Sequence, residues 1–204
     1  MKISRVTSAF LFGLLALTSS FTSWAEEGVL SEDEIHHLYF MREEEKLARD
    51  VYLVFYKEWG MDVFANIALS EQRHTDAIRD LIEGYSLEDP VVDDSIGVFV
   101  DEELAELYEA LIERGLESAE EALYVGALIE EVDMEDIQHA IDESDETKIL
   151  TVYDNLMRAS KNHLRGFVSV ILNLELTDYY EAQHIDQEWV DEILSDEVER
   201  GETH

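Results

Sequence analysis

Four segments of this chain place apolar residues alternately three and four positions apart, the spacing that draws one stripe down a helix. All four stripes turn polar near their middle. The first runs Leu38, Met41, Glu45, Ala48, Tyr52, Phe55, Trp59, and the second Phe64, Ile67, Glu71, His74, Ile78, Leu81, Tyr85. The third runs Leu123, Gly126, Glu130, Asp133, Ile137, Ala140, and the fourth Ile149, Tyr153, Leu156, Ser160, His163, Phe167, Val170. A bundle that buries these stripes gathers four carboxylates and two imidazoles in a space that ought to be dry. An ionised carboxylate in an apolar interior costs several kcal/mol unless it is paired, so four of them converging call for cations. Two divalent metals would balance the charge. Hard carboxylate oxygens mixed with imidazole nitrogen suit iron or manganese, and zinc could enter the same donors; one or two ions, iron first, are the expected cofactor.

The candidate metal ligands are therefore Glu45, Glu71, His74, Glu130, Asp133 and His163. Each has a plainer reading. Glu45 ends the run Glu43-Glu44-Glu45, and acidic runs usually coat solvated faces; Glu44, on the neighbouring stripe with Phe40 and Leu47, is the alternative ligand. Glu71 and His74 could be a surface pair, but Ile67 and Ile78 on either side turn them inward. Glu131 ranks below Glu130 because its stripe passes through Tyr124, Leu128 and the charged Glu135. Asp133 reads equally as a helix-face acid, and His163 as a core histidine bonded to a tyrosine or carbonyl. Tyr52 and Tyr153 read as packing residues with bonded hydroxyls, and Arg49, Asn162 and Arg165 as interhelical ties. His36, His37, His139, His184 and His204 lack matched partners and receive no role.

Local signals bound the helices. Ser31-Glu-Asp-Glu34 is a capping box opening a helix to about Trp59, with Gly60 as its stop. A second helix spans about Asp62 to Glu83, followed by Gly84 and the Asp89-Pro90 loop. Residues 86–117 make a long connection holding a short helix from Asp101 to about Arg114, ended by Gly115. A second capping box, Ser118-Ala-Glu-Glu121, opens the third long helix, to about Glu143; the fourth runs from about Ser144 to Asn173. A short amphipathic helix in the acidic tail, residues 176–200, would use Tyr179, Tyr180, Trp189 and Ile193 as apolar contacts. The fold class is all-α: a four-helix bundle, core 31–175, within one domain from residue 26 to 204.

Composition narrows the chemistry. With no Cys in 204 residues, disulfides, thiolate-held metals and cysteine nucleophiles are excluded. A formal net charge of −35 opposes binding to phosphate backbones and acidic lipid surfaces, so no nucleic acid partner is expected. At 46% apolar residues, however, the chain is too hydrophobic for a disordered acidic tail. Residues 1–25 read as a secretory signal: Lys2 and Arg5 form a positive start, Ala9 to Leu17 an apolar run too short to span a bilayer, and Ser23-Trp24-Ala25 a small-residue cleavage site. Removing them takes two cations and no acid, leaving −37. The expected location is periplasmic or secreted, with no membrane association after cleavage and a homodimer left open.

The residues also carry a family resemblance. A Glu on one helix and Glu-x-x-His on the next, answered by a second helix pair, is similar to the dimetal arrangement of ferritin-like bundles. Glu45-Lys-Leu-Ala48-Arg49-Asp-Val-Tyr52 resembles the first-helix signature of rubrerythrins, and Glu71-Gln-Arg-His74 resembles their Glu-x-x-His. The runs EEKLARDVY, NIALSEQRH, GALIEEVD and SKNHLR resemble an uncharacterised rubrerythrin-related family of bacterial and archaeal proteins, a domain of unknown function, over roughly residues 31–175. The resemblance implies a ferritin-like fold, whose second and third helices run parallel across a long crossover, and a carboxylate/histidine metal site. It brings no assigned reaction; oxidation of Fe(II) by dioxygen or peroxide is the expected class. Two rivals are a metal-sequestering protein without turnover and a metal-free structural or interaction bundle. The departure from pattern is Ser160-x-x-His163, where a second Glu-x-x-His is wanted; Asp133, one turn after Glu130, could restore the count. No Cys-rich rubredoxin module follows, so electron delivery of the rubrerythrin kind is not expected.

Overall fold

The capping box at Ser31 forms as its residue types dictate: Ser31 Oγ accepts from the Glu34 amide at 3.0 Å, and the Glu34 carboxylate accepts from the Ser31 amide at 2.8 Å. It opens α1 (Glu32–Trp59), which ends at Gly60 in the left-handed region at φ 64°, where a side chain would be strained. This computed structural model describes residues 29–196. The expected leader, residues 1–25, lies outside the described residues, as does the end of the tail beyond 196. The remaining helices are α2 (Asp62–Gly84), α3 (Glu102–Gly115), α4 (Ala119–Asp142), α5 (Thr147–Asn173) and α6 (Gln187–Ser195). Among the described residues there is no strand, and no helix is long and apolar enough to cross a membrane.

Helix direction follows from a few contacts. The connections α1–α2 and α4–α5 are too short for anything but antiparallel hairpins. Trp59 Nε1, at the end of α1, donates to the Gly115 carbonyl just before α4, at 3.1 Å. His37, near the start of α1, meets Glu143 just past the end of α4, at 2.9 Å. Hence α1 and α4 are antiparallel, α2 and α4 run parallel, and residues 85–118 must travel back along the bundle, with α3 on the way. The four stripes face inward together. Tyr52, Phe64 and Phe167 pack as tilted rings at the heart, with Phe167 5.2 Å from Tyr52 and 5.6 Å from Phe64 between ring centroids. Gly126 admits this cluster, since a Cβ there would lie 2.5 Å from Phe167 Cε1.

Several boundaries differ from those expected. The helix placed from Ser144 begins at Thr147, because the amides of Asp145 and Glu146 and the Ser144 hydroxyl donate instead to Glu34. Gly115 does not stop α3 from outside; it is the last helical residue, where a Cβ would collide with the Phe55 ring. Ile82 rather than Leu81 is fully buried in α2. Tyr179 is exposed and Tyr180 buried, both upstream of α6, whose own core contacts are Val190 and Ile193.

A larger difference concerns the acidic run. Residues 41–52 of α1 are buried on every face, charged side chains included, because the long crossover covers the back of the helix. Glu43 accepts from the amides of Val100 and Asp101 at 2.6 and 2.8 Å. Lys46 reaches Asp50 at 2.6 Å and the Ser95 carbonyl at 2.9 Å, with its ammonium 4.4 Å from the Phe99 ring centre. Arg49 binds Asp50, Asp94 and, on α2, Gln72, so it is indeed an interhelical tie. Asp50 also accepts from the Gly97 amide, and Arg42 donates to Asp89 and Thr75. Buried polar groups must find partners, and this loop supplies many of them, from its backbone and from the Asp89 and Asp94 side chains.

Candidate metal centre

Nine acids are buried among the described residues, and their hydrogen bonds divide them. Glu34, Glu43, Asp50 and Glu131 are saturated by N–H and O–H donors. Glu131 alone accepts from the Tyr180 hydroxyl at 2.7 Å and from the amides of Gln183, His184 and Ile185, so it fastens the tail. Glu44, Glu45, Glu71, Glu130 and Asp133 are not saturated, and all but Glu44 lie on the inward stripes. Glu44 Oε2, Glu45 Oε1, Glu71 Oε1 and Asp133 Oδ1 have no hydrogen-bond partner. An unsatisfied buried carboxylate oxygen is costly unless something outside the protein completes it.

The inward acids meet the two histidines. Glu45, Glu71 and His74 offer ligand atoms within 4.8 Å of one another, and so do Glu71, Glu130 and His163. Glu71 belongs to both groups. His74 Nδ1 lies 3.2 Å from Glu45 Oε2 and 2.7 Å from Glu71 Oε2. His163 Nδ1 lies 2.8 Å from Glu71 Oε1 and 3.3 Å from Glu130 Oε2, yet it is out of line for a hydrogen bond to either. The two imidazoles stack with centroids 5.5 Å apart. Asp133 stands beside the groups rather than in them: one oxygen accepts from Ser160 Oγ and the other is free. Ser160, on the stripe where a second glutamate was wanted, thus holds the acid that faces it. Glu44, the alternative ligand, points toward Asp133 and Asp136 and is in neither group.

Surrounding residues set the ligands' orientation. Tyr52 donates to Glu130 Oε1 at 2.6 Å, a contact that a packing role alone does not need. Burial, with Glu130 beside it, pushes the Tyr52 phenol well above its ordinary range, so it stays a donor. Ser70 Oγ lies 3.4 Å from His74 Nε2, leaving Nδ1 facing the acids.

Charge is frustrated here. Burial raises Glu45 to about 7 despite the opposing pull of His74. Burial and neighbouring acids raise Asp133 and Glu44 well above the carboxylate range; burial also raises Glu130, against the pull of His163. Burial pushes Glu71 the same way, but the two histidines outweigh it and hold it low. Burial works against charge on the histidines too, and the acids overcome it: Glu71 and Glu130 lift His163 to about 10, while Glu45 and Glu71 lift His74. Protons therefore stand where cations could, shared among residues whose donor types are those of oxygen- and nitrogen-binding metals.

Fold and site together define an all-helical bundle with a buried carboxylate–histidine cluster at its centre. The chain belongs to the family described as Uncharacterized protein domain (DUF2202), which it matches over residues 34–197. It is 48% identical to Uncharacterized protein MJ0754 of Methanocaldococcus jannaschii over 172 residues, covering 84% of this chain and 92% of the relative. A crystal structure of hypothetical protein MJ0754 from Methanococcus jannaschii superposes with a TM-score of 0.81 at 46% identity, covering 84% of this chain and 97% of that one.

Proposed function

We propose that this protein is a ferritin-like metal protein whose centre binds one or two transition-metal ions, iron foremost, and oxidises Fe(II) with dioxygen or peroxide. The observation carrying this reading is the pair of three-ligand groups sharing Glu71, with carboxylate oxygens and the His163 nitrogen lacking hydrogen-bond partners within them. The parallel α2 and α4, joined by a crossover of bundle length, support the ferritin-like assignment.

The residues fit such ions. Glu45, Glu71 and His74 would hold one ion, and Glu71, Glu130 and His163 a second. When bound, iron supplies one-electron redox chemistry and a coordination position for the oxidant. The chain's own contribution is to fix the donors and exclude water: Tyr52 and Ser160 orient Glu130 and Asp133, while Phe64 and Phe167 wall one side. Burial of four acids about two ions favours the higher charge of the oxidised state, and the protons displaced from Glu45 and the histidines must leave as metal enters. A second reading, sequestration without turnover, is favoured by Ser160, which leaves helix α5 with one donor fewer than a full pair of Glu-x-x-His helices would give. Export to the periplasm or medium, supported by residues 1–25, predicts a mature protein beginning at Glu26.

Fe(II) added without oxygen and then exposed to oxygen or peroxide is expected to develop a ferric charge-transfer band at one or two ions per chain. A Glu71→Ala/His163→Ala variant should lose both the band and the bound iron. Iron retained at full stoichiometry with no oxidant consumed would select sequestration instead; no iron in the wild-type protein would reject both.

A further inference from the structure

A second cluster of metal-binding groups lies at the far end of the bundle, where the first turns of α1 face the last turn of α4. His37, His139 and Glu143 offer ligand atoms within 4.8 Å of one another. His37 Nε2 lies 2.9 Å from Glu143 Oε2, and His139 Nε2 lies 3.3 Å from Glu143 Oε1. Two donors on one zinc-sized ion, each about 2.0–2.1 Å from it in tetrahedral array, stand about 3.3 Å apart, the His139–Glu143 spacing and slightly more than the His37–Glu143 hydrogen bond that an ion would replace. The imidazoles meet edge to face, 89° apart with centroids at 5.2 Å, which lets both Nε2 atoms address the same carboxylate.

Three further observations point to a cation. His139 and Glu143 are four residues apart and so share one helix face. They sit at the C-terminal end of α4, whose unpaired carbonyls make that end negative. A groove of about 220 Å³ opens beside them, bordered also by Asp33, one turn before His37, and by Asp136, one turn before His139, with room for a fourth donor or a water. Glu143, at 44% side-chain exposure, leaves the site open to solvent.

We propose that His37, His139 and Glu143 form a second, solvent-accessible site for one divalent cation of the zinc class, separate from the central cluster. Two nitrogens and one oxygen make a softer set than the carboxylate-rich centre and should rank ions differently, preferring zinc or copper to manganese. None of its three residues belongs to the central groups, so the two are separable by mutation.

Zinc stoichiometry by equilibrium dialysis and native mass spectrometry tests this at neutral pH. With the centre silenced as Glu71→Ala/His163→Ala, the full chain is expected to retain one zinc. Adding His139→Gln and Glu143→Gln should weaken that zinc by more than the roughly 100-fold that loss of an outer partner brings. His139 is 61% exposed, so His139→Gln alone, in the otherwise wild-type chain, should keep its helical circular dichroism while losing one equivalent of zinc. Equal zinc binding with and without His139 and Glu143, or no zinc in the centre-silenced chain while it remains folded, would overturn the proposal.

Discussion

Lys46 and Asp50 are both fully buried, one turn apart on α1, and they place a charge pair where an apolar pair could have stood. Pairing of this sort contributes little net stability over a well-packed hydrophobic pair, yet removing one member strands the other. Asp50 also receives Arg49 and the Gly97 amide, so it is the hub that joins helix to crossover. Asp50→Ala should therefore lower the free energy of unfolding by about 3–5 kcal/mol, and Lys46→Met added to it should recover part of that loss. Urea titrations of the single and double variants measure both. A double variant no more stable than Asp50→Ala would mean that the buried ammonium is satisfied by Ser95 and Phe99 alone.

Between elements, one carboxylate fixes a corner of the bundle. Glu34 caps its own helix through Ser31 and also accepts from Ser144, Asp145 and Glu146 at the entrance to α5. Although burial pushes its pKa upward, these donors outweigh it and hold Glu34 below its ordinary 4.5. The folded protein thus binds this proton less readily than the unfolded chain. Its contribution is complete above the unfolded pKa and is lost as pH falls through the lower folded value. Glu34→Gln should cost about 1 kcal/mol at neutral pH, the usual worth of a helix cap, and the gap from wild type should close on acidification; a constant gap in melting experiments from pH 7 to 3 would contradict this. The capping box was legible because both halves lie three residues apart in one helix. The reach to residues 144–146 was not, since it depends on two helix ends meeting 110 residues apart. The same contrast governs the acids of α1. Glu45 was readable from its stripe, whereas Glu43, satisfied by two amides of an irregular loop, looked like solvated charge because backbone donors leave no residue pattern. His37 and His139 had no partner in any stripe, and only the antiparallel approach of α1 and α4 joins them.

Across the whole molecule, the central cluster ties stability to pH, and under the proposed function a bound metal should act in the opposite sense. Without metal, Glu45, Glu130 and Asp133 hold protons above their ordinary carboxylate values, and His74 and His163 hold theirs above 6.5. In both cases folding takes up protons. For an acid or a base whose folded pKa is raised, stability is greatest below the unfolded pKa and declines as pH climbs toward the folded one. Glu71 has the opposite shift, but its loss of stability falls in acid below its ordinary 4.5. Metal-free protein should therefore become less stable from about pH 4.5 to 10, a window set by Glu45 rising from 4.5 to about 7 and His163 from 6.5 to about 10. A bound divalent ion needs the same groups deprotonated, so its affinity grows as they lose protons, and its stabilisation grows with it through RT ln(1 + [L]/Kd). At an ion concentration 100-fold above Kd that term is about 2.7 kcal/mol. Melting temperature against pH should accordingly fall for chelator-treated protein and stay level or rise for protein in excess Mn(II), whose redox inertness in air leaves the comparison one of binding alone. Parallel curves would show that the ion does not enter among these acids. Glu71→Ala should bring the metal-loaded curve down onto the metal-free one, whereas His139→Gln, in the last turn of α4 away from the central acids, should leave the separation intact.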